Sequence, residues 1–191
     1  MFALPTNPDG GTITVKPVNK ATDRSIVREI FRREFYGDSR LYYPDEGLWE
    51  IYDRMDTHEA FGAYLVSRGE QVLFLLEIHP PIQMDLLADC LSTPGTIGIY
   101  CFCYSRDTTI HGPAFKACIA SLLSYPSINR ILTSISHITG NDPRTCLLDY
   151  AGFRQLPASS DRLSVYSCTR ESFEISNNAA RSWLLSTACS G

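Results

Sequence analysis

Apolar and polar positions along the chain alternate with two periods, and the changes of period divide it into elements. Ile13 to Val18 alternates and is rich in β-branched side chains, which predicts a half-buried strand. Thr22 or Asp23 then offers an N-cap for a helix whose apolar residues Ile26, Val27, Ile30, Phe31 and Phe35 recur at helical spacing. A Tyr-, Asp- and Pro-rich connection over 36–46 leads to a second short helix with Leu48, Ile51, Tyr52 and Met55 on one stripe. Two strands follow, Phe61–Ser67 and Gln71–His79. The Arg68-Gly69-Glu70 connection between them predicts an antiparallel hairpin. His79 to Pro94 reads as a long connection broken by Pro80 and Pro81. Thr96–Tyr104 is apolar on both faces, as a central strand covered from both sides would be.

In the second half, Phe115, Cys118, Ile119, Leu122 and Leu123 mark a helix over Pro113–Leu123, ended near Pro126. Ile131–Ser136 is a further strand. Asp142-Pro143 supplies an N-cap and a first-turn proline for a helix running to about Ala151, and Gly152 suits its left-handed C-terminal cap. Phe153–Leu156 and Leu163–Cys168 are two last strands around a Pro/Ser/Asp turn. The tail over 171–191 predicts a final helix with Ile175, Ala179, Trp183 and Leu184 inward. The order β-α-α-β-β-β-α-β-α-β-β predicts an α+β fold with a mixed, mostly antiparallel central sheet flanked by helices. Thr96–Tyr104 and Ile131–Ser136 are expected to be its one parallel pair, because a helix-containing crossover joins them. The expected division is a flexible N-terminal arm (1–11), a single domain (12–170) and a C-terminal helical tail (171–191).

Composition adds limits. With 191 residues, 44% hydrophobic and 20% charged, the chain is that of an ordinary globular domain. A net charge of −4 argues against phosphate-backbone binding, so no nucleic-acid partner is expected. No apolar run approaches the roughly 20 residues needed to cross a bilayer. Met1 to Gly11 lacks a basic region followed by an apolar stretch, which leads to the expectation of a cytoplasmic protein with no membrane partner. The 7 cysteines are odd in number and form no C-x-x-C pair. They read as small buried hydrophobes, and no metal site is indicated. There is no G-x-G-x-x-G, Walker loop, G-x-S-x-G or H-E-x-x-H.

Arg130 to Phe153 (RILTSISHITGNDPRTCLLDYAGF) carries a strand, an Asn and a helix ending in Gly-Phe, with 12 positions from Asn141 to Phe153. This stretch resembles the second half of the GCN5-related N-acetyltransferase family, and the order of elements over 13–168 is similar to that family's. The resemblance implies transfer of an acetyl or other acyl group from acetyl-CoA, or another acyl-CoA, to a primary amine by direct attack in a ternary complex. It implies that the backbone near Phe102, Cys103 and Tyr104 pairs with the pantetheine arm and that Asn141 adds a polar contact to the donor. The pyrophosphate would rest on amides from Thr108, Thr109, Ile110, His111 and Gly112 at the start of a helix. In the family, the region of the first two helices shapes the acceptor pocket, which here points to Tyr42 and Tyr43. The acceptor would be a small-molecule or protein amine, and a homodimer is left open.

Three positions, in two places, depart from the family pattern. Its phosphate loop reads Gln/Arg-x-x-Gly-x-Gly/Ala, and the matching residues here are Asp107 to Gly112, with Asp107 for the basic or amide residue and Ile110 for the first glycine. A carboxylate there opposes a phosphate. Many members also place a Tyr 7 residues after the Asn, to protonate the departing sulfur; this chain has Leu148, while Tyr150 points elsewhere around the helix. A non-catalytic binding or assembly module on the same fold is therefore the rival to an enzyme.

Glu77 and His79 lie two apart on one strand and share a face. Either suits a base for the attacking amine, with Glu77 first; a solvated strand end is the structural alternative. Cys101 and Cys103 also share a face, and packing is the simpler role. His111 offers either a donor to phosphate or a cap.

Overall fold

The computed structural model describes residues 13–34, 62–79, 93–103, 108–136, 144–157 and 163–178. Its strands are β1 (Ile13–Pro17), β2 (Gly62–Arg68), β3 (Gln71–His79), β4 (Thr96–Cys103), β5 (Arg130–Ser136), β6 (Arg154–Gln155) and β7 (Leu163–Thr169). Its helices are α1 (Arg24–Glu34), α2 (Thr108–Ser124), α3 (Arg144–Tyr150) and α4 (170–178). The strands form one sheet in the order β1-β2-β3-β4-β5-β7-β6. Every neighbouring pair is antiparallel except β4–β5, so the predicted mixed sheet with one parallel pair is the one observed. The arm over 1–11, the second helix around Leu48–Met55, the Asp142-Pro143 cap and Ala179, Trp183 and Leu184 lie outside the described residues.

Local chemistry explains the ends of these elements. Gly69, at φ +59°, opens the two-residue link between β2 and β3, the φ sign expected at the first position of a type II′ hairpin. The Asp23 carbonyl accepts the first α1 bond from Val27 N–H at 3.0 Å, which makes Asp23 the N-cap. Its carboxylate reaches backward, accepting from Asn19 N–H at 2.9 Å and Lys16 Nζ at 2.7 Å. α3 ends in a Schellman motif. Phe153 N–H donates to the Leu148 carbonyl at 2.9 Å and Gly152 N–H to that of Asp149 at 3.0 Å, with Gly152 at φ +84°.

Packing divides at the sheet. On one face Val27, Ile30 and Phe31 of α1 cover Ala63, Leu65 and Leu75. On the other, Phe115, Cys118, Ile119 and Leu122 of α2 join Leu147, Leu148 and Phe153 over Phe74, Leu76, Ile99 and Ile131. A bulge in β3 decides which side chains take which face. Val66 pairs with Phe74 and Ser67 with Val72, leaving Leu73 as the extra residue. From Phe74 onward, Leu76 and Ile78 face α2, while Leu75, Glu77 and His79 face the α1 side.

Two expectations are corrected. α2 begins at Thr108, a turn before the predicted start, and Pro113 lies inside it. The burial of His111 and Ala114 recruits that turn, and it outweighs the backbone bond that a proline omits. In α4, Ile175 is 55% exposed and points outward, whereas Phe173 packs against the core. Phe173 lies two residues before Ile175, about 200° around the helix, so the inward face is rotated by roughly half a turn from the expected one.

Candidate functional site

The parallel pair supplies the site. β4 and β5 are paired at Thr96–Arg130, Ile97–Ile131 and Gly98–Leu132 and no further, although both strands continue, to Cys103 and Ser136. Beyond Gly98–Leu132 they part, opening a V towards their C-terminal ends. The cleft holds about 320 Å³ of space, counting the part open to solvent. Its walls include Tyr100 and Cys101 from β4, Thr133 and Ser134 from β5, Phe115 from α2 and Leu148 from α3. Main-chain groups no longer engaged in a β4–β5 ladder can bond to a guest inserted between the strands.

On the α1 side of the sheet, both proposed bases lie on β3, the neighbour of β4 on the edge away from β5. His79 stands opposite Gly98, on the last β4–β5 rung, and Glu77 stands opposite Tyr100, one step into the V. Both are buried, at 7% exposure for Glu77 and 6% for His79, so the solvated strand end is not their setting. The imidazole lies against the Tyr100 ring, with centroids 4.8 Å apart and planes tilted by 31°.

The other candidates are placed as follows. Phe102 and Cys103 are in β4 alongside the opening. Thr108, Thr109 and Ile110 form the first turn of α2, whose amides precede any carbonyl partner inside the helix. His111 follows, but its side chain is 1% exposed and meets Phe74 edge-on at 6.2 Å, so its imidazole points into the core and away from any phosphate at the surface. Gly112 lies under the Tyr150 ring, where an added Cβ would come to 3.4 Å. That ring also faces the Lys116 ammonium at 4.8 Å, which fixes Tyr150 on the α2 surface and away from the cleft. Burial lowers the Lys116 pKa. Tyr42, Tyr43, Tyr104, Asp107 and Asn141 lie outside the described residues.

Of the cysteines whose burial is described, three pack in the interior as expected, and Cys146 on α3 departs from that expectation. Cys101, Cys118 and Cys168 are buried and Cys146 is exposed. Burial pushes the Cys118 thiol up to about 12 and the Cys168 thiol to about 11, so neither is a thiolate at neutral pH. Sequence reasoning missed Gly98, Tyr100, Thr133 and Ser134. Only cross-strand register brings them together, although a glycine inside an apolar strand was a signal of close approach by another group.

No protein-family model matches the chain, and no curated protein matches it. Solved structures do. An uncharacterized protein from Bacillus halodurans is 13% identical with a TM-score of 0.66, covering 88% of this chain and 89% of its own. The aminoglycoside acetyltransferase AAC(6')-Ib, in complex with coenzyme A and kanamycin, is 16% identical with a TM-score of 0.66, covering 85% of this chain and 97% of its own. RimJ of Mycobacterium smegmatis, in complex with CoA-disulfide, is 14% identical with a TM-score of 0.59, covering 84% and 83%. Together with the seven-stranded order and the opening after Gly98 and Leu132, these likenesses give the chain the GCN5-related N-acetyltransferase fold.

Proposed function

We propose that the protein is an acyl-CoA-dependent N-acyltransferase, moving an acetyl or related acyl group to a primary amine by direct attack within a ternary complex. The observation that carries this reading is the β4–β5 ladder ending at Gly98–Leu132, with a lined cleft beyond it. The pantetheine arm lies along the β4 backbone near Phe102 to Tyr104, and the pyrophosphate meets the amides from Thr108 to Gly112. Asn141 adds a contact to the donor, and Tyr42 and Tyr43 line the acceptor pocket. The acylating unit spans residues 12–170, and its setting is the cytoplasm. A small-molecule amine is favoured as acceptor by the likeness to an enzyme crystallised with kanamycin.

The chemistry requires little from side chains. Holding amine and thioester together in reactive geometry can supply several kcal/mol by itself. A base must keep the amine neutral, and Glu77 takes that role, with His79 beside it. Leu148, buried where many relatives carry a tyrosine, offers no proton to the sulfur. Asp107 and Ile110 weaken the phosphate end of the site relative to a Gly-containing loop with a basic residue. Equilibrium titration with acetyl-CoA, desulfo-CoA and free pantetheine tests the reading. Saturable binding of both CoA forms, with pantetheine weaker, is expected; no binding of any of the three would leave the fold as a non-catalytic binding or assembly module.

A further inference from the structure

Gly98 has no conformational reason to be glycine. Its φ is not positive, and it lies in the regular part of β4, where a glycine weakens the strand. The reason lies opposite it. A Cβ at position 98 would come within 2.3 Å of His79 Cε1, 2.6 Å of Nδ1 and 3.2 Å of Nε2. Three atoms of the imidazole thus crowd one point, so the ring lies across the Gly98 α-carbon and occupies the volume a side chain would take. Tyr100 closes the next position along β4, its ring 4.8 Å from the imidazole centroid. Gly98 is also the last β4 residue paired with β5. The imidazole is therefore held at the point where the two central strands separate.

We propose that Gly98 and Tyr100 are positioning residues that cradle His79, and that the imidazole so held shuttles the proton from the attacking nitrogen to the departing sulfur. The proposal rests on the acyl-transfer reading above. Two protons leave the nitrogen of an ammonium substrate on the way to an amide. The first is lost before attack, to Glu77 and then to solvent. The second is shed as the N–C bond forms and the C–S bond breaks. His79 accepts it from nitrogen and returns it to the thiolate as the free thiol, ending in its starting state. This supplies the acid that Leu148 cannot, and it divides the labour between two neighbours on β3.

Three measurements test it. Histidine side-chain NMR reads the cradle without any turnover. The His79 ring should show contacts to the Gly98 α-protons and the Tyr100 ring, kept in Tyr100→Phe and lost in Tyr100→Leu; Gly98→Ala should displace the ring from the other wall. His79 resonances unchanged in Tyr100→Leu would overturn the cradle even if Gly98→Ala does not fold. Next, His79→Gln should lower kcat with acetyl-CoA by about 100-fold, the scale of general acid–base catalysis, with KM little changed. Tyr100→Leu should fall in the same direction and Tyr100→Phe should retain the rate. Finally, the loss in His79→Gln should shrink with the acetyl thioester of 4-nitrothiophenol, whose thiolate leaves without a proton. Equal losses with both donors, or a His79→Gln variant as fast as wild type, would overturn the shuttle alone. A wild-type protein that neither binds acetyl-CoA nor turns it over would overturn the acyl-transfer reading, and the shuttle with it.

Discussion

Gly98 and Leu132 are the last residues that pair β4 with β5, and the space beyond them is bounded by Thr133 and Ser134 on one side and Tyr100 and Cys101 on the other. A large side chain on the β5 wall should fill that space without disturbing the rungs before it. Ser134→Trp is therefore expected to abolish acetyl-CoA binding in a titration while leaving the thermal unfolding midpoint near that of wild type. Retained binding in a folded Ser134→Trp variant would place the donor elsewhere.

The start of α2 gives a second expectation. Its first-turn amides at Thr108, Thr109 and Ile110 have no carbonyl partner inside the helix, and Asp107 precedes them in sequence with a negative charge. The double variant Asp107→Arg, Ile110→Gly should bind CoA several-fold more tightly, and more so at low salt, where opposite charges are least screened. Free pantetheine, which lacks the pyrophosphate, should show no gain. Equal affinity of variant and wild type for CoA would separate this turn from the phosphate site.

Glu77 is buried and stands opposite Tyr100, which lines the cleft. If it keeps the acceptor amine neutral, Glu77→Gln should turn over more slowly at neutral pH. Raising the pH should restore part of the rate, because more of the amine is then deprotonated without help. A pH–rate comparison on any working acceptor decides this. Superimposable profiles for the two proteins would remove Glu77 from the role.

Asp23 provides a stability test away from the site. Burial raises its pKa, but hydrogen bonds from Lys16, the Asn19 amide and Thr22 outweigh that and hold the carboxyl below the usual aspartate range. A folded-state pKa below the unfolded value stabilises the fold above the ordinary aspartate pKa of about 4, and that contribution is lost as pH falls through the folded value. Asp23→Ala should therefore cost about 1–2 kcal/mol in urea unfolding at pH 7, mostly from the lost bond to the Asn19 amide, since Lys16 is half exposed. The difference from wild type should narrow as pH drops below 4. A gap of constant size down to pH 2.5 would contradict the assignment.

Much of the fold was legible because its signals are local. Gly69 marks the hairpin, Gly152-Phe153 marks the end of α3, and the crossover between Thr96–Cys103 and Arg130–Ser136 fixes their parallel sense. The site was legible only in part. Period-two spacing placed Glu77 and His79 on one face, yet the bulge at Leu73 determines that this face is the α1 side. Nothing in the order of residues pairs Gly98 with His79, because that contact is set by the register of β3 against β4. His111 misled for a related reason. Its position at a helix start suggested an anion contact, but the turn it occupies rotates its ring onto Phe74.

An acyl donor seated between β4 and β5 would be read residue by residue by backbone NMR during an acetyl-CoA titration. Saturable shifts are expected at residues 98–103 and 132–136, with a second group at the start of α2 from Thr108 to Gly112, and little change along β1 and β2. Saturable shifts confined to other surfaces, or none at donor concentrations that saturate a control acetyltransferase, would contradict that placement.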